Sequence, residues 1–286
     1  SIGRRHLESD MFTLDGKAIL ITGAGKGIGR AIALAFAKQG ANLVLLARTQ
    51  SDLEEVAELV REHGVQAIVA PTDVTDIDAF RASIDRCISE FGRIDVLVNN
   101  AGGGHPGASG TVLDITEEGW DGTYLLNAKA AFFGLQHAAR AMRDGETGGS
   151  IINIISIDGV WQAPESSIYG SAKAALRSLT AVSAVELGQH NIRVNAIAPG
   201  LIDTPLVSRW MPTPEWREWR ASFYPLNRVG LPEDIAAAAV FFASDESEWI
   251  SGETMVVAGG NPQTSNISFF MHGVNPLPDS VRGARP

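Results

Sequence analysis

A single cysteine in 286 residues excludes an intrachain disulfide and makes a thiolate zinc site untenable. That residue, Cys87, falls in a helical pattern and reads as a packing group in a reducing compartment. The six histidines, His6, His63, His105, His137, His190 and His272, show no metal-ligand spacing, so no metal is expected. Long apolar runs are also missing. None approaches the roughly eighteen residues that a membrane span needs. Basic residues are the scarcer charge, 23 Lys and Arg against 33 Asp and Glu, for a net charge of −10. That balance argues against a nucleic-acid or anionic-membrane partner. Residues 1–10 are polar and charged and carry no signal-peptide core, Met11 reads as the natural first residue, and a cytoplasmic location is expected. No repeat, low-complexity tract or Pro/Gly/Ser-rich linker interrupts the chain. With 45% hydrophobic residues it can bury one large core.

What is present alternates. Seven strand-like runs lie near residues 17–22, 42–47, 66–71, 94–98, 150–155, 192–197 and 254–258. Helical patterns fall near 27–39, 50–63, 76–91, 117–143, 164–188, 205–222 and 232–243. Such alternation predicts a single α/β domain, a doubly wound parallel sheet of seven strands with helices on both faces. Ligands then bind beyond the carboxyl ends of the strands. Glu54, Glu55, Glu58, Arg61 and Glu62 read as an exposed helix face.

The first strand runs into Thr22-Gly23-Ala24-Gly25-Lys26-Gly27-Ile28-Gly29, followed by a helix that Gly40 closes. Strand, glycine turn and helix form a dinucleotide-binding unit. Glycines let the backbone turn tightly near a pyrophosphate, and the helix N-terminus offers free N–H groups and a partial positive charge.

Farther along, Tyr169 and Lys173 stand four residues apart in a helical pattern and so share a face. An ammonium beside a phenol is expected to draw the phenol below its usual value of about 10. A phenol tuned in this way can give a proton to a carbonyl oxygen or take one from an alcohol.

Together the glycine turn and the downstream Tyr-x-x-x-Lys resemble the short-chain dehydrogenase/reductase family. Further motifs follow in that family's order. Asp73-Val74 comes after the third strand and Asn99-Asn100-Ala101-Gly102 ends the fourth. Asn127 lies in a long helical segment, and Ser156 stands thirteen residues before Tyr169. Asn195, then Pro199-Gly200, Ile202 and Thr204, follow the sixth strand. The similarity covers residues 14–260; the tail, 261–286, departs from it. The resemblance implies a Rossmann-type fold and a nicotinamide cofactor held by Gly23, Lys26, Gly27, Ile28, Gly29, Arg48, Asp73, Val74, Asn100, Ala101, Gly102, Tyr169, Lys173, Pro199, Gly200, Ile202 and Thr204. It implies a catalytic set of Asn127, Ser156, Tyr169 and Lys173. Ser156 would hydrogen-bond the carbonyl oxygen and Tyr169 would supply its proton. Lys173 would lower the phenol and hold the nicotinamide ribose, and Asn127 would fix a water that links Lys173 to solvent. Dimers or tetramers through residues 117–143 and 164–188 are also implied, and their many alanines suit close packing; a homotetramer is expected.

NAD-binding units usually place an acid at the end of the second strand. Here that strand ends in Ala47-Arg48-Thr49, and the nearest acid, Asp52, falls in the following helix. Arg48 and Lys26 point instead to NADP(H), whose 2′-phosphate a planar cation can pair. The expected activity is interconversion of a ketone and a secondary alcohol, on an apolar small-molecule substrate. An oxoacyl-carrier-protein reductase is the alternative, since residues 230–260 also resemble those enzymes; a non-catalytic dinucleotide-sensing protein would show a broken catalytic set. His105, after three glycines, is expected at the mouth of the site, touching substrate or solvent. Residues 206–224 carry Trp210, Met211, Trp216, Trp219, Phe223 and Tyr224, which could form an apolar lid or pack onto the domain or a neighbour. The tail, with Ile267, Phe269, Phe270 and Met271, is expected to dock on a subunit or wall the pocket.

Overall fold

Strand runs such as Ala-Ile-Leu-Ile-Thr at residues 18–22 are apolar at every position because both faces of the sheet are covered. A computed structural model describes residues 11–260 except 162, 209, 210 and 212, so the tail and Trp210 lie outside the described residues. Seven parallel strands stand in the order β3-β2-β1-β4-β5-β6-β7. They are β1 (Ala18–Thr22), β2 (Asn42–Ala47), β3 (Ala67–Pro71), β4 (Val96–Asn99), β5 (Gly149–Ile154), β6 (Ile192–Pro199) and β7 (Thr254–Val257). The order turns back on itself between β1 and β4, which pair from Ile19 with Val96 to Ile21 with Val98. A crevice opens at the carboxyl ends there.

Alternate side chains divide the core. Ile19 and Ile21 join Leu43, Leu45, Val96 and Val98 beneath α1 (Gly27–Lys38), α2 (Gln50–Arg61) and α9 (Pro232–Ala243). Leu20, Val44, Leu46 and Leu97 face the other way, toward α3 (Ile77–Phe91) and α5 (Ala130–Asp144). Close approach matters between α3 and α5: a Cβ on Gly134 would lie 2.3 Å from the buried ring of Phe80. Cys87 is buried on α3 and its thiol is pushed up to about 12, first by burial and then by Asp95, so it is an inert packing group. The acidic face of α2 is exposed as expected.

Two helical expectations need correction. Residues 117–143 are not one α-helix: α4 (Glu117–Tyr124) passes through a π-helical segment, Leu125–Lys129, into α5. Periodicity of apolar residues cannot show this, because one extra residue in a turn leaves both flanking patterns intact. Residues 205–222 likewise split into α7 (Pro205–Ser208) and α8 (Pro214–Ala221). Thr213 caps α8 by accepting from the Trp216 N–H, with Pro214 at the first helical position. The longest helix, α6 (Ser167–Leu187), carries Tyr169 and Lys173 near its start.

A buried polar chain braces the centre. Asn99 donates to Asn153 Oδ1 at 2.9 Å, Asn153 donates to Thr180 Oγ1 at 2.9 Å, and Thr180 donates to the Leu176 carbonyl. It joins β4 and β5 to α6 and so fixes the helix against the sheet.

Candidate active site

The glycine turn is compact because nothing but backbone fits. Gly23 and Gly27 have φ of +66° and +54°, and a Cβ on Gly29 would lie 2.1 Å from the Gly23 carbonyl oxygen. Thr22 Oγ1 accepts from the N–H groups of Asn100 and Ala101, both at 2.9 Å. Asn100 Nδ2 returns a bond to the Thr22 carbonyl at 2.8 Å. The ends of β1 and β4 are thereby stitched together. α1 begins with Lys26 as an uncapped N-cap and no acid in its first turn, so its N–H groups are open to an anion.

Beyond the strand ends lies a cleft of about 820 Å³. All the glycine-turn candidates except Gly29 line it, as do Arg48, Asp73, Val74, Asn100, Ala101, Gly102, Ser156, Tyr169, Lys173, Pro199, Gly200, Ile202 and Thr204. Gly29 works from beneath, through the contact just described. Asp73 Oδ1 accepts from the N–H and hydroxyl of Thr75. Thr204 is buried against Gly27. The cradle fits a nicotinamide dinucleotide: backbone donors at a glycine turn, an extended trough along β2 and β4, and a proton-transfer group at its far end.

Arg48 is exposed on the cleft wall. Lys26 is not free to reach from the other side in this state, because its Nζ pairs with Asp52 Oδ2 at 2.9 Å. Asp52 lies on α2, where the sequence placed the nearest acid, and it also lines the cleft.

At the chemical end, Ser156 follows β5 and caps a one-turn 3-10 helix, Ile157–Gly159. Its Oγ accepts from the Asp158 N–H at 3.1 Å, which leaves the hydroxyl proton for another acceptor. It also hydrogen-bonds Tyr169. Lys173 donates to the Ile154 carbonyl at 2.9 Å, and its Nζ lies 5.8 Å from the centre of the Tyr169 ring. A Cβ on Gly102 would stand 2.9 Å from that Nζ, so the glycine gives the ammonium its room.

The electrostatics reverse the expectation for Tyr169. Burial, then the Asp158 charge, push the phenol up to about 12, and only the Ser156 hydrogen bond opposes them. Burial also pulls Lys173 down to about 8. Spacing showed the ammonium beside the phenol but not the desolvation that governs both. Asn127 sits in the π-helical segment, buried, with its amide spent on the protein. Oδ1 accepts from the Gly103 N–H, and Nδ2 donates to the Gly103 and Thr123 carbonyls. Its side chain holds the glycine loop.

Trp216, Trp219 and Met211 bury themselves as a separate cluster with Phe223, Leu201 and Val207. Trp219 meets Trp216 and Phe223 edge-on, at 5.3 and 5.1 Å. The aromatics therefore stiffen the cover, and Pro205, Leu206 and Val207 line the cleft instead. His105 does line the mouth; its ring lies over Gly122, where a Cβ would collide at 2.4 Å. Sequence reasoning missed Asp158, which no motif spacing marks. A larger cavity of about 1100 Å³ lies at the amino ends of the strands. Charged groups along it are engaged with protein, Arg93 with Asp95, Lys17 with Asp245, and Arg193 with Ser247 and two carbonyls. Among the described residues, no group of three or more His, Cys, Asp or Glu could hold a metal ion, and no helix is long and apolar enough to cross a membrane.

The family model for enoyl-(acyl carrier protein) reductase matches residues 23–261. Versicolorin reductase stcU of Emericella nidulans is 38% identical over 267 residues, spanning 88% of this chain and 98% of that protein. The 3-oxoacyl-[acyl-carrier-protein] reductase FabG of Thermotoga maritima is 38% identical over 251 residues, spanning 86% and 98%. A solved structure of 7α-hydroxysteroid dehydrogenase, complexed with NADH and 7-oxo glycochenodeoxycholic acid, superposes with a TM-score of 0.84. It is 37% identical and covers 90% of this chain and 99% of that one.

Proposed function

The chain belongs to the short-chain dehydrogenase/reductase family, and from that premise we propose that it is an NADP(H)-dependent oxidoreductase interconverting a ketone and a secondary alcohol. The observation that carries this reading is the convergence of Ser156, Tyr169 and Lys173 at one end of the dinucleotide cleft. The bound nicotinamide would supply or accept the hydride. In reduction, Ser156 donates to the carbonyl oxygen and Tyr169 delivers the proton there. In oxidation, Tyr169 removes the hydroxyl proton. Lys173, with its midpoint near 8, holds positive charge beside the phenol around neutral pH. Asn127 positions the glycine loop between β4 and α4. The cofactor-binding residues are those along the cleft and glycine turn given above.

Support for NADP(H) comes from the exposed Arg48 at the end of β2. The Lys26–Asp52 pair must open if Lys26 is to assist. A bulky apolar ketone or alcohol suits the Leu206 and Val207 side of the cleft, and the versicolorin and hydroxysteroid names of the relatives favour it. The match to FabG favours a second reading, reduction of an acyl group on a carrier protein. Helix α6 leaves Ala174, Ala181, Val182 and Val185 exposed, the last at 84%, which supports a homotetramer through this face; the other alanines of these helices are buried or half-buried within the subunit. We place the protein in the cytoplasm, as its buried lone thiol suggests. The functional unit is residues 11–260. A panel of bulky ketones, small oxoacids and oxoacyl thioesters, followed by NADPH absorbance, tests the reading. Turnover of the thioesters alone would select the second reading, and turnover of none would overturn both.

A further inference from the structure

One ionisable side chain beside the catalytic serine and tyrosine has no part in their arrangement with the lysine. Asp158 occupies the one-turn helix between β5 and α6. Its N–H donates to Ser156 Oγ at 3.1 Å, and its Oδ2 accepts from Ser166 Oγ at 2.8 Å. Ser166 is the N-cap position of α6, the helix that carries Tyr169 and Lys173. Two glycines press the turn onto that helix. A Cβ on Gly170 would lie 2.9 Å from the Asp158 carbonyl oxygen, and a Cβ on Gly159 would lie 2.7 Å from the Lys173 backbone. Asp158 therefore bridges the catalytic serine and the head of the catalytic helix.

We propose that Asp158 is a positioning residue, which fastens Ser156 to α6 through its two hydrogen bonds. Its charge also disfavours the Tyr169 phenolate. The proposal rests on the reading of Tyr169 as the proton-transfer group. Other ionisable groups lie near the phenol. Lys173 lies on α6 itself, and Tyr224, with Arg220 beside it, is the ionisable group on the covering segment after α8. The strand β6 also touches the turn, but its one charged residue, Arg193, is engaged at the other end of the sheet. Asp158 raises both Tyr169 and Tyr224, and burial holds its own carboxyl above the usual carboxylate range. The consequence is directional. Reduction needs the protonated phenol, and Asp158 extends the pH range over which that form persists.

The test separates the fastening from the charge. D158N keeps an acceptor for Ser166 and the N–H for Ser156 but removes the charge; D158A removes the side chain. The sequence has three tyrosines, so phenolate absorbance read just after a pH jump resolves them, and the phase missing from Y169F is assigned to Tyr169. The full cofactor-free chain is used, and the readout does not require turnover. The midpoint of Tyr169 should fall by about one pH unit in D158N, the order expected for a nearby unit charge in a partly screened interior. The acid limb of alcohol oxidation should move down with it. D158A should show the same shift and also lose about tenfold in kcat in both directions, with KM little changed. An unmoved Tyr169 midpoint in D158N would overturn the role of the charge, and full kcat in D158A would overturn the fastening. Retained activity in Y169F would defeat the underlying reading instead, without touching the titration result.

Discussion

Lys173 offers a measurement that depends on burial alone. Its side chain is 2% exposed, and burial lowers it from 10.5 to about 8. Between those values the unfolded chain holds this proton and the folded chain has released it. Stability must therefore rise with pH across that window. The penalty is complete below about 8 and gone above about 10.5. Moving a titration midpoint by one pH unit takes about 1.4 kcal/mol, so the whole effect is roughly 3 kcal/mol. Lys173→Met keeps the chain length and removes the titration. Tyr169 and Cys87, both raised to about 12, oppose the trend at high pH, but they are common to both proteins and cancel in the difference. The assay is urea unfolding of the cofactor-free chain from about pH 7.5 to 10.5. The parent should gain stability relative to Lys173→Met throughout. The lost hydrogen bond to the Ile154 carbonyl adds an offset without slope. A difference flat to within about 0.5 kcal/mol across the window would refute the idea that a buried ammonium is carried at neutral pH.

Other outcomes follow from the same geometry. Tyr169→Phe should lower kcat by ~10²–10⁴-fold and leave cofactor binding measurable; retention of a tenth of kcat would contradict its role. Arg48→Asp with Lys26→Ala should erase or reverse a preference for NADPH of about ten- to hundred-fold, the range of one charge-assisted hydrogen bond. Equal kcat/KM for the two cofactors in the parent would count against it. Gly134→Val should destabilise by roughly 2 kcal/mol, because overpacking against Phe80 costs ~1–3 kcal/mol and exceeds the few tenths gained in helix propensity. A denaturation midpoint unchanged from the parent would show that α3 can yield. Light scattering at micromolar concentration should give four chains per particle, and a monomer would exclude the assembly.

The fold was legible because its signals are local and repeated. Runs such as residues 18–22 and 42–47 are apolar on both faces, and turns between them carry glycine where φ is positive. The same holds for the glycine turn and for Tyr169 and Lys173, which helical spacing alone puts on one face. What escaped is what depends on depth or on distant neighbours. The direction in which Tyr169 moves follows from enclosure by several elements, which no spacing reports. Asp52 was visible as the nearest acid after the second strand, but its place against the turn, which Gly25 allows, was not. The tryptophans of α8 have the composition of a pocket lining, yet their rings are satisfied by each other. Asn127 was visible as a polar residue in a helix, but the π-helical turn beneath it was not.

That turn makes the length of the segment a structural variable in its own right. Upstream of it, Gly119 and Gly122 fit against Gly107 and His105; downstream, Gly134 fits against Phe80. Each residue of a helix advances the face by about 100°. Deleting any one residue between 125 and 129 would let the helix run regularly, and local propensity would welcome it. The two ends would keep their facing, because the π-helical turn winds one residue more through about the same angle; wound as a regular helix at full length, they would face directions differing by about 100°, and one set of glycine contacts would be given up. Chain-length variation is commonly thought of as a matter for loops. In this protein the middle of its long helix holds an extra residue without turning either end away from its contacts.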